Sequence, residues 1–191
     1  MFKIVRKKEL NPSVTLMDIE APFIARKAKA GQFIIFRIDD KSERVPLTIA
    51  GYDREKGTVT IIFQKVGFAT KALGSLNEGD YILDFVGPLG RPTDVEGKKR
   101  VCVVGGGVGC AIALPSATAF KEAGAEVTVI VGFRSKDIVI LEDEFKAVAD
   151  RFIMMTDDGS YGRHGLVTQP LQELLEAGEQ FDEVLAIGPV L

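Results

Sequence analysis

Over the first 96 residues the apolar positions fall in short runs of alternating or β-branched character, such as FIIFRI (33–38), TVTIIF (58–63) and YILDFV (81–86). Turn signals separate them: AGQ (30–32), DREKG (53–57), NEGD (77–80) and GPLG (87–90). Short strands punctuated in this way predict an antiparallel barrel or sandwich. Past Gly97-Lys98-Lys99-Arg100 the period changes. Strands VCVV (101–104), EVTVIV (126–131), RFIMM (151–155) and EVLAI (183–187) alternate with helical stretches reaching to about Ala123 and over 141–149 and 167–177. Strands alternating with helices at this spacing predict βαβ units on a parallel sheet, a Rossmann-like α/β arrangement. Two domains are therefore expected, 1–97 and 98–191. No linker richer than EGKKR joins them and no repeat is present, so the halves are expected to pack together rather than hang on a tether.

The totals narrow the function classes. Hydrophobic residues at 46% and charged residues at 27% are globular values, which disfavours disorder, collagen and coiled coil. A formal charge of -3 without a block of either sign lacks the footprint of a nucleic-acid binder. No apolar run reaches 18 residues and the charged start MFKIVRKKELNPS is no signal peptide, so neither a membrane span nor export is expected and the chain should be cytoplasmic. Cys102 and Cys110 are the whole cysteine complement. They support neither a disulfide framework nor a metal-binding cluster, and are expected to be small buried hydrophobes.

Gly105, Gly106, Gly107 and Gly109 stand between a β-branched strand and a helix carrying Ala111, Ala113, Ala117 and Ala119. Glycines in that context allow a tight turn and the close approach of a pyrophosphate to backbone N–H groups at the positive end of a helix. The fit to G-x-G-x-x-G is incomplete, because Cys110 occupies the sixth position. The ribose-reading residue should lie at the end of the second strand, where Gly132-Phe133-Arg134-Ser135-Lys136-Asp137 offers two answers. Arg134 suits a 2′-phosphate and Asp137 suits a ribose diol, leaving NAD and NADP both open.

In the first half, Arg44-Val45-Pro46-Leu47-Thr48 opens a strand. Alternation sends Arg44, Pro46 and Thr48 to one face. There an Arg fork can take a phosphate and a hydroxyl can hydrogen-bond a flavin ring nitrogen. This run, with VGFATKAL (66–73), VGPLGRP (86–92), VVGGGVGCA (103–111) and TDDGSYGRHGLVT (156–168), resembles the ferredoxin-NADP reductase superfamily. It is most similar to the branch that contains the dihydroorotate dehydrogenase electron-transfer subunit, the sulfide dehydrogenase β-subunit and the small subunit of NADH-dependent ferredoxin-NADP oxidoreductase. The motifs span the chain in the family's order.

The resemblance implies that the barrel holds FAD and the α/β half holds NAD(P)H. Arg44, Pro46 and Leu47 would border the flavin nucleotide, Arg44 meeting its pyrophosphate. Thr48 would stand at the flavin N5 region and is the candidate catalytic residue. Gly67, Ala69 and Thr70 would form the second phosphate-binding segment. Gly106, Gly107 and Gly109 would cradle the nicotinamide dinucleotide, with Arg134 at its ribose, Asp157, Asp158 and Gly159 lining the cleft, and Gly188 and Pro189 where the nicotinamide nears the flavin. The family's partner is another oxidoreductase subunit or a ferredoxin-like acceptor; no nucleic acid and no membrane enters.

The departures carry their own expectations. Leu47 replaces the usual aromatic, Ile112 follows Ala111 where Ala-Pro is usual, and Ile187 precedes Gly188-Pro189 where many members have Cys. Members of this branch continue past the G-P pair to cysteines that bind a 2Fe-2S centre. This chain has no ligands for one and is expected to be truncated at its C-terminus. His164, the single histidine, is expected to be a solvated loop residue, and Glu142-Asp143-Glu144 a helix-end charge effect. Hydride transfer needs no acid-base pair, because the cofactors carry the chemistry. The function expected is a flavoprotein oxidoreductase subunit that moves a hydride between NAD(P)H and FAD and passes electrons onward. The alternatives are a truncated, non-catalytic FAD- or nucleotide-binding module and an NAD(P)H reductase of free flavin.

Overall fold

The computed structural model describes residues 1–189; the last two positions of the expected second domain, Val190 and Leu191, lie outside the described residues. The chain separates into two compact units, Met1–Thr93 and Asp94–Leu191.

The first unit is an antiparallel sheet of seven strands: β1 (Phe2–Asn11), β2 (Val14–Glu20), β3 (Phe33–Arg37), β4 (Val45–Asp53), β5 (Thr58–Gln64), β6 (Tyr81–Ile82) and β7 (Asp84–Leu89). Two helices interrupt it, α1 (Pro22–Lys27) and α2 (Phe68–Ser75). The β1–β2 hairpin turns on Asn11, whose Oδ1 accepts from the amides of Ser13 and Val14, both at 2.9 Å. The strand order is β6-β1-β2-β5-β4-β3-β7. Its two ends are neighbours in sequence, since only Leu83 separates β6 from β7. This one bent run pairs with β1 at one end of the order and with β3 at the other, so the sheet curls back on itself into a nearly closed barrel. The run YILDFV, expected as one strand, is thus two. Tyr81–Ile82 pairs with β1, Asp84–Leu89 pairs with β3, and the Leu83 amide donates to Ile38 O at 3.0 Å.

Alternation fills the interior. Ile34 and Phe36 of β3, Ile49 of β4, Ile61 and Phe63 of β5, and Phe85 of β7 are buried together with Ile4, Met17, Ile19 and Leu73. Each such side chain contributes about 1.5–3 kcal/mol on burial. The residues between them on β3, β4 and β7 consequently face outward.

The second unit is the expected parallel sheet. Its strands are β8 (Arg100–Gly106), β9 (Glu126–Phe133), β10 (Arg151–Thr156), β11 (Arg163–His164) and β12 (Glu183–Ile187), in the order β11-β10-β9-β8-β12. The helices are α3 (Cys110–Glu122), α4 (Glu142–Val148) and α5 (Thr168–Glu176). β8 and β9 read as near-continuous apolar runs because both of their faces are covered. On one face Cys102, Val104, Ile130 and Met155 pack with Val167, Leu171 and Leu174 near α5. Ala113, Ala117 and Phe120 of α3 and Phe145 of α4 are fully buried. Both cysteines are buried, and burial pushes the thiols up to about 11 for Cys102 and about 12 for Cys110. These are inert apolar fillers.

Candidate functional site

On the barrel, the outward residues of three adjacent strands form a small platform. Ile35 of β3 sits opposite Pro46 of β4 on one side and Val86 of β7 on the other. Pro46 is exposed and Val86 keeps 53% of its surface. The next pair, Phe33 and Thr48, extends the row, and Thr48 is half-buried. At the other end Asp84 gathers two guanidinium groups, Arg37 at 2.8 Å and Arg44 at 3.3 Å. The Arg44 side chain is 61% exposed, so most of its donor fork faces solvent. Arg44, Pro46 and Thr48 do share a face, and the structure adds Phe33, Ile35 and Val86 to it. These three could have been found from the same alternation, had β3 and β7 been paired with β4. Leu47 goes the other way, packing against the barrel core with Val45. Only its backbone can reach a molecule lying on the platform.

The segment before α2 supplies a different chemistry. Gly67 is the N-cap, and the Thr70 hydroxyl accepts from the amides of Val66 (3.2 Å) and Gly67 (3.1 Å) while donating to Gly67 O (3.2 Å). The threonine therefore shapes the loop from inside the first turn. Ala69 is buried in the barrel core, which anchors that turn. The first-turn amides of an α-helix have no carbonyl within the helix, so those of Phe68, Ala69 and Thr70 form the positive end of α2. Phe68 (84% exposed) and Val66 (66%) project beside it.

In the second unit the order of strands reverses at β8. The chain runs outward through β9 and β10, then returns to place β12 on the opposite side of β8. The carboxyl ends of β8 and β12 form the switch point of the sheet, and open α/β sheets bind ligands in the crevice at that position. The glycines there have separate tasks. Gly105 and Gly106, expected in the turn, are still strand and pair with Val131 and Gly132. A β-carbon on Gly105 would stand 2.9 Å from Cys110 Sγ, so this glycine lets α3 pack on β8. One on Gly109 would stand 2.6 Å from Ile187 O, and one on Gly188 would stand 3.3 Å from Gly106 Cα. Gly106, Gly109 and Gly188 thus let two backbones touch across the switch point, with Pro189 Cδ beside Gly106. Gly107 differs: its φ is +53° and a β-carbon there would meet nothing within 4 Å. It supplies the left-handed turn and has open space beside it.

The loops after β9 and β10 flank this crevice at the same edge of the sheet. The amides of Asp157 and Asp158 donate to Phe133 O (3.0 Å) and Arg134 O (3.2 Å). Asp158 accepts from the Ser160 amide (2.9 Å) and hydroxyl (2.6 Å), and Ser160 holds its carboxyl below the usual range. Asp137 is engaged by the Ser135 hydroxyl at 2.5 Å. The Arg134 and Asp157 side chains are exposed. Gly159 has φ +72° and lies against the His164 ring. His164 is exposed as expected, though in the short edge strand β11 rather than a loop.

One cluster at this edge went unread in the sequence. The Tyr161 hydroxyl donates to Glu142 at 3.0 and 3.1 Å, Lys146 pairs with Glu142 at 2.6 Å, and Lys136 Nζ lies 5.2 Å from the Tyr161 ring centroid. Lys146, then Tyr161, hold the Glu142 carboxyl below its ordinary range. Buried Thr156 donates to Tyr161 O at 2.6 Å and accepts from its amide at 3.1 Å. No signal of spacing connects these residues, since 19 positions separate Glu142 from Tyr161.

Among the described residues, no group of three or more His, Cys, Asp and Glu could hold a metal ion. Among the described residues no helix is long and apolar enough to cross a membrane.

No protein-family profile matches the chain. It is 41% identical over 189 residues to the dihydroorotate dehydrogenase B (NAD(+)) electron transfer subunit homolog of Thermotoga maritima, covering 99% of this chain and 66% of that protein. It is 38% identical over 181 residues to the dihydroorotate dehydrogenase B (NAD(+)) electron transfer subunit of Fusobacterium nucleatum, covering 91% of this chain and 69% of that protein. Among solved structures, that of the NADH-dependent reduced ferredoxin-NADP oxidoreductase matches with a TM-score of 0.92 at 40% identity, covering 99% of this chain and 68% of the other. The ferredoxin reductase of carbazole 1,9a-dioxygenase shares the fold, with a TM-score of 0.80 at 20% identity, covering 98% of this chain and 60% of the other. The chain spans about two thirds of the length of the curated relatives it matches. A parallel sheet with its switch point at β8 in one unit, a barrel in the other and relatives of this identity place the chain in the ferredoxin-NADP reductase superfamily, in the branch of the dihydroorotate dehydrogenase B electron transfer subunits.

Proposed function

We propose that the chain is an electron-transfer flavoprotein subunit: the barrel holds FAD, the α/β unit receives NAD(P)H, and electrons pass to a partner oxidoreductase subunit or a ferredoxin-like acceptor. The observation that carries this reading is the switch point, where left-handed Gly107 has open space beside it just before α3. A pyrophosphate fits there because glycine lets it approach backbone N–H groups at a positive helix end. Asp157, Asp158 and Gly159 border the same edge, and Gly188 and Pro189 close its far side.

The barrel residues fit a flavin nucleotide by their chemistry. Phe33, Ile35, Pro46 and Val86 offer a flat apolar surface for a ring system. Thr48 brings a hydroxyl to its edge, and Arg44 presents a guanidinium fork for a phosphate. The first-turn amides of α2, with Gly67 allowing approach, suit a second phosphate oxygen. Bound FAD would supply the two-electron chemistry; the protein's part is to hold, orient and shield the reacting groups. NADH is the preferred nucleotide in this reading, because the relatives are named for NAD(+) and Asp137 in the loop after β9 suits a ribose diol.

The test of the barrel assignment is Arg44→Ala. Purified wild-type protein should carry flavin through gel filtration, and the variant should lose most of it while keeping its circular dichroism spectrum. Full flavin retention in the variant would contradict the role given to Arg44. Wild-type protein that turns over added flavin without retaining any would instead indicate a free-flavin reductase.

A further inference from the structure

A polar cluster of Lys136, Glu142, Lys146 and Tyr161 stands at the carboxyl edge of the sheet. It joins two loops that carry separate pieces of the nucleotide edge. Arg134, Ser135 and Asp137 lie on the loop after β9, and Asp157, Asp158 and Gly159 lie on the loop after β10. The joints between them are polar. The Lys136 amide donates to Ser160 Oγ at 2.9 Å, the Lys136 ammonium sits over the Tyr161 ring, and Tyr161 reaches across to Glu142 at the start of α4. Glu142 is in turn gripped by Lys146 one helical turn on. Leu141, just before it, has φ +62°, a left-handed conformation that branched side chains disfavour and that surrounding contacts must hold in place. Tyr161 itself is fixed at its backbone by the buried Thr156 hydroxyl. The loop after β9 is therefore clamped at one end by a strand and at the other by a tyrosine whose hydroxyl makes this bridge.

We propose that Tyr161 and Glu142 form a latch that holds the Arg134–Asp137 loop in the geometry that reads the ribose of the dinucleotide. The inference rests on the nicotinamide-nucleotide reading of the crevice. Tyr161 and Glu142 act here as positioning residues: neither touches the nucleotide, and both set the loop that does. Losing the latch leaves the reacting groups in place once the nucleotide is bound, so it raises KM and spares kcat.

The experiment is steady-state oxidation of NADH and of NADPH with ferricyanide as electron acceptor, alongside anaerobic flavin bleaching by each nucleotide, in wild-type protein, Tyr161→Phe, Glu142→Ala and the double variant, with flavin content and thermal unfolding recorded for each. Either single variant should raise the KM for the preferred nucleotide about three- to tenfold, the effect of losing one partly exposed hydrogen bond to a carboxylate. The kcat should stay within about twofold. The double variant should be no worse than the worse single, because both changes break the same Tyr161–Glu142 bond. Unchanged KM in both singles, or a fall in kcat at constant KM, overturns the latch while the nucleotide reading stands. Wild-type protein that is bleached by neither nucleotide overturns that reading and the latch with it.

Discussion

Single residues at the switch point divide between packing and binding, and the division makes a prediction. Gly109 has an ordinary helical φ of -58°, so alanine is allowed there by its backbone but collides with Ile187 O. Gly107 has room for a methyl group and the wrong backbone for one. Gly107→Ala should cost about 1–2 kcal/mol, the strain of a left-handed non-glycine residue, and should weaken nucleotide binding by placing a methyl group in the crevice. Gly109→Ala should cost more in urea unfolding, about 1–3 kcal/mol or beyond, since the methyl group would meet backbone atoms rather than the end of a flexible side chain. Equal stability of the two variants would contradict this assignment. The glycines were legible as a group in the sequence, and their separate tasks were not. Whether Gly109 faces a ligand or Ile187 depends on β12, whose partner strand lies about 80 residues away and leaves no trace in local spacing. Leu47 shows the converse. Alternation already placed it opposite Arg44, Pro46 and Thr48, while resemblance to the family set it beside the flavin.

At the scale of elements, Asp182 ties β12 to β8 at the end of the sheet remote from the crevice. Its carboxylate accepts from the amides of Lys99 at 2.7 Å and Arg100 at 2.9 Å, and its own amide donates to Arg100 O at 2.8 Å. Those bonds, the Arg100 amide first, hold its carboxyl below the ordinary 3.8. A carboxyl whose pKa is depressed on folding contributes stability that is present above its unfolded pKa and lost as pH falls through the folded one. Asp182→Asn should therefore lower the unfolding temperature at pH 7, and the difference from wild type should close as pH falls below about 4. A difference that persists unchanged into acid would show that charge is not what Asp182 supplies. The long, strongly patterned elements were legible: β8, β9, α3 and α5 come where apolar periodicity put them. The short ones were not. β6 and β11 are two residues each, and α1 is six, although proline at its first turn was a usable signal. The split of YILDFV at Leu83 escaped because closing a barrel is a property of seven strands together, invisible in any one.

For the whole molecule, the class of both units followed from a change of period near residue 97, and the structure divides the chain between Thr93 and Asp94. The chemistry was less legible than the fold. Arg44, Thr48 and the glycines stood out through motif order, whereas the Ile35-Val86 platform and the Tyr161-Glu142 bridge arise only when distant strands and loops meet. The central claim is that one chain brings a flavin and a nicotinamide nucleotide to work together. Its most direct measurement is the visible spectrum of the purified protein before and after anaerobic addition of NADH, with NADPH in parallel. Bound-flavin bands that bleach on NADH, and more slowly on NADPH, are the predicted result. A colourless protein that takes up no added FAD, or flavin bands that neither nucleotide bleaches, would contradict it.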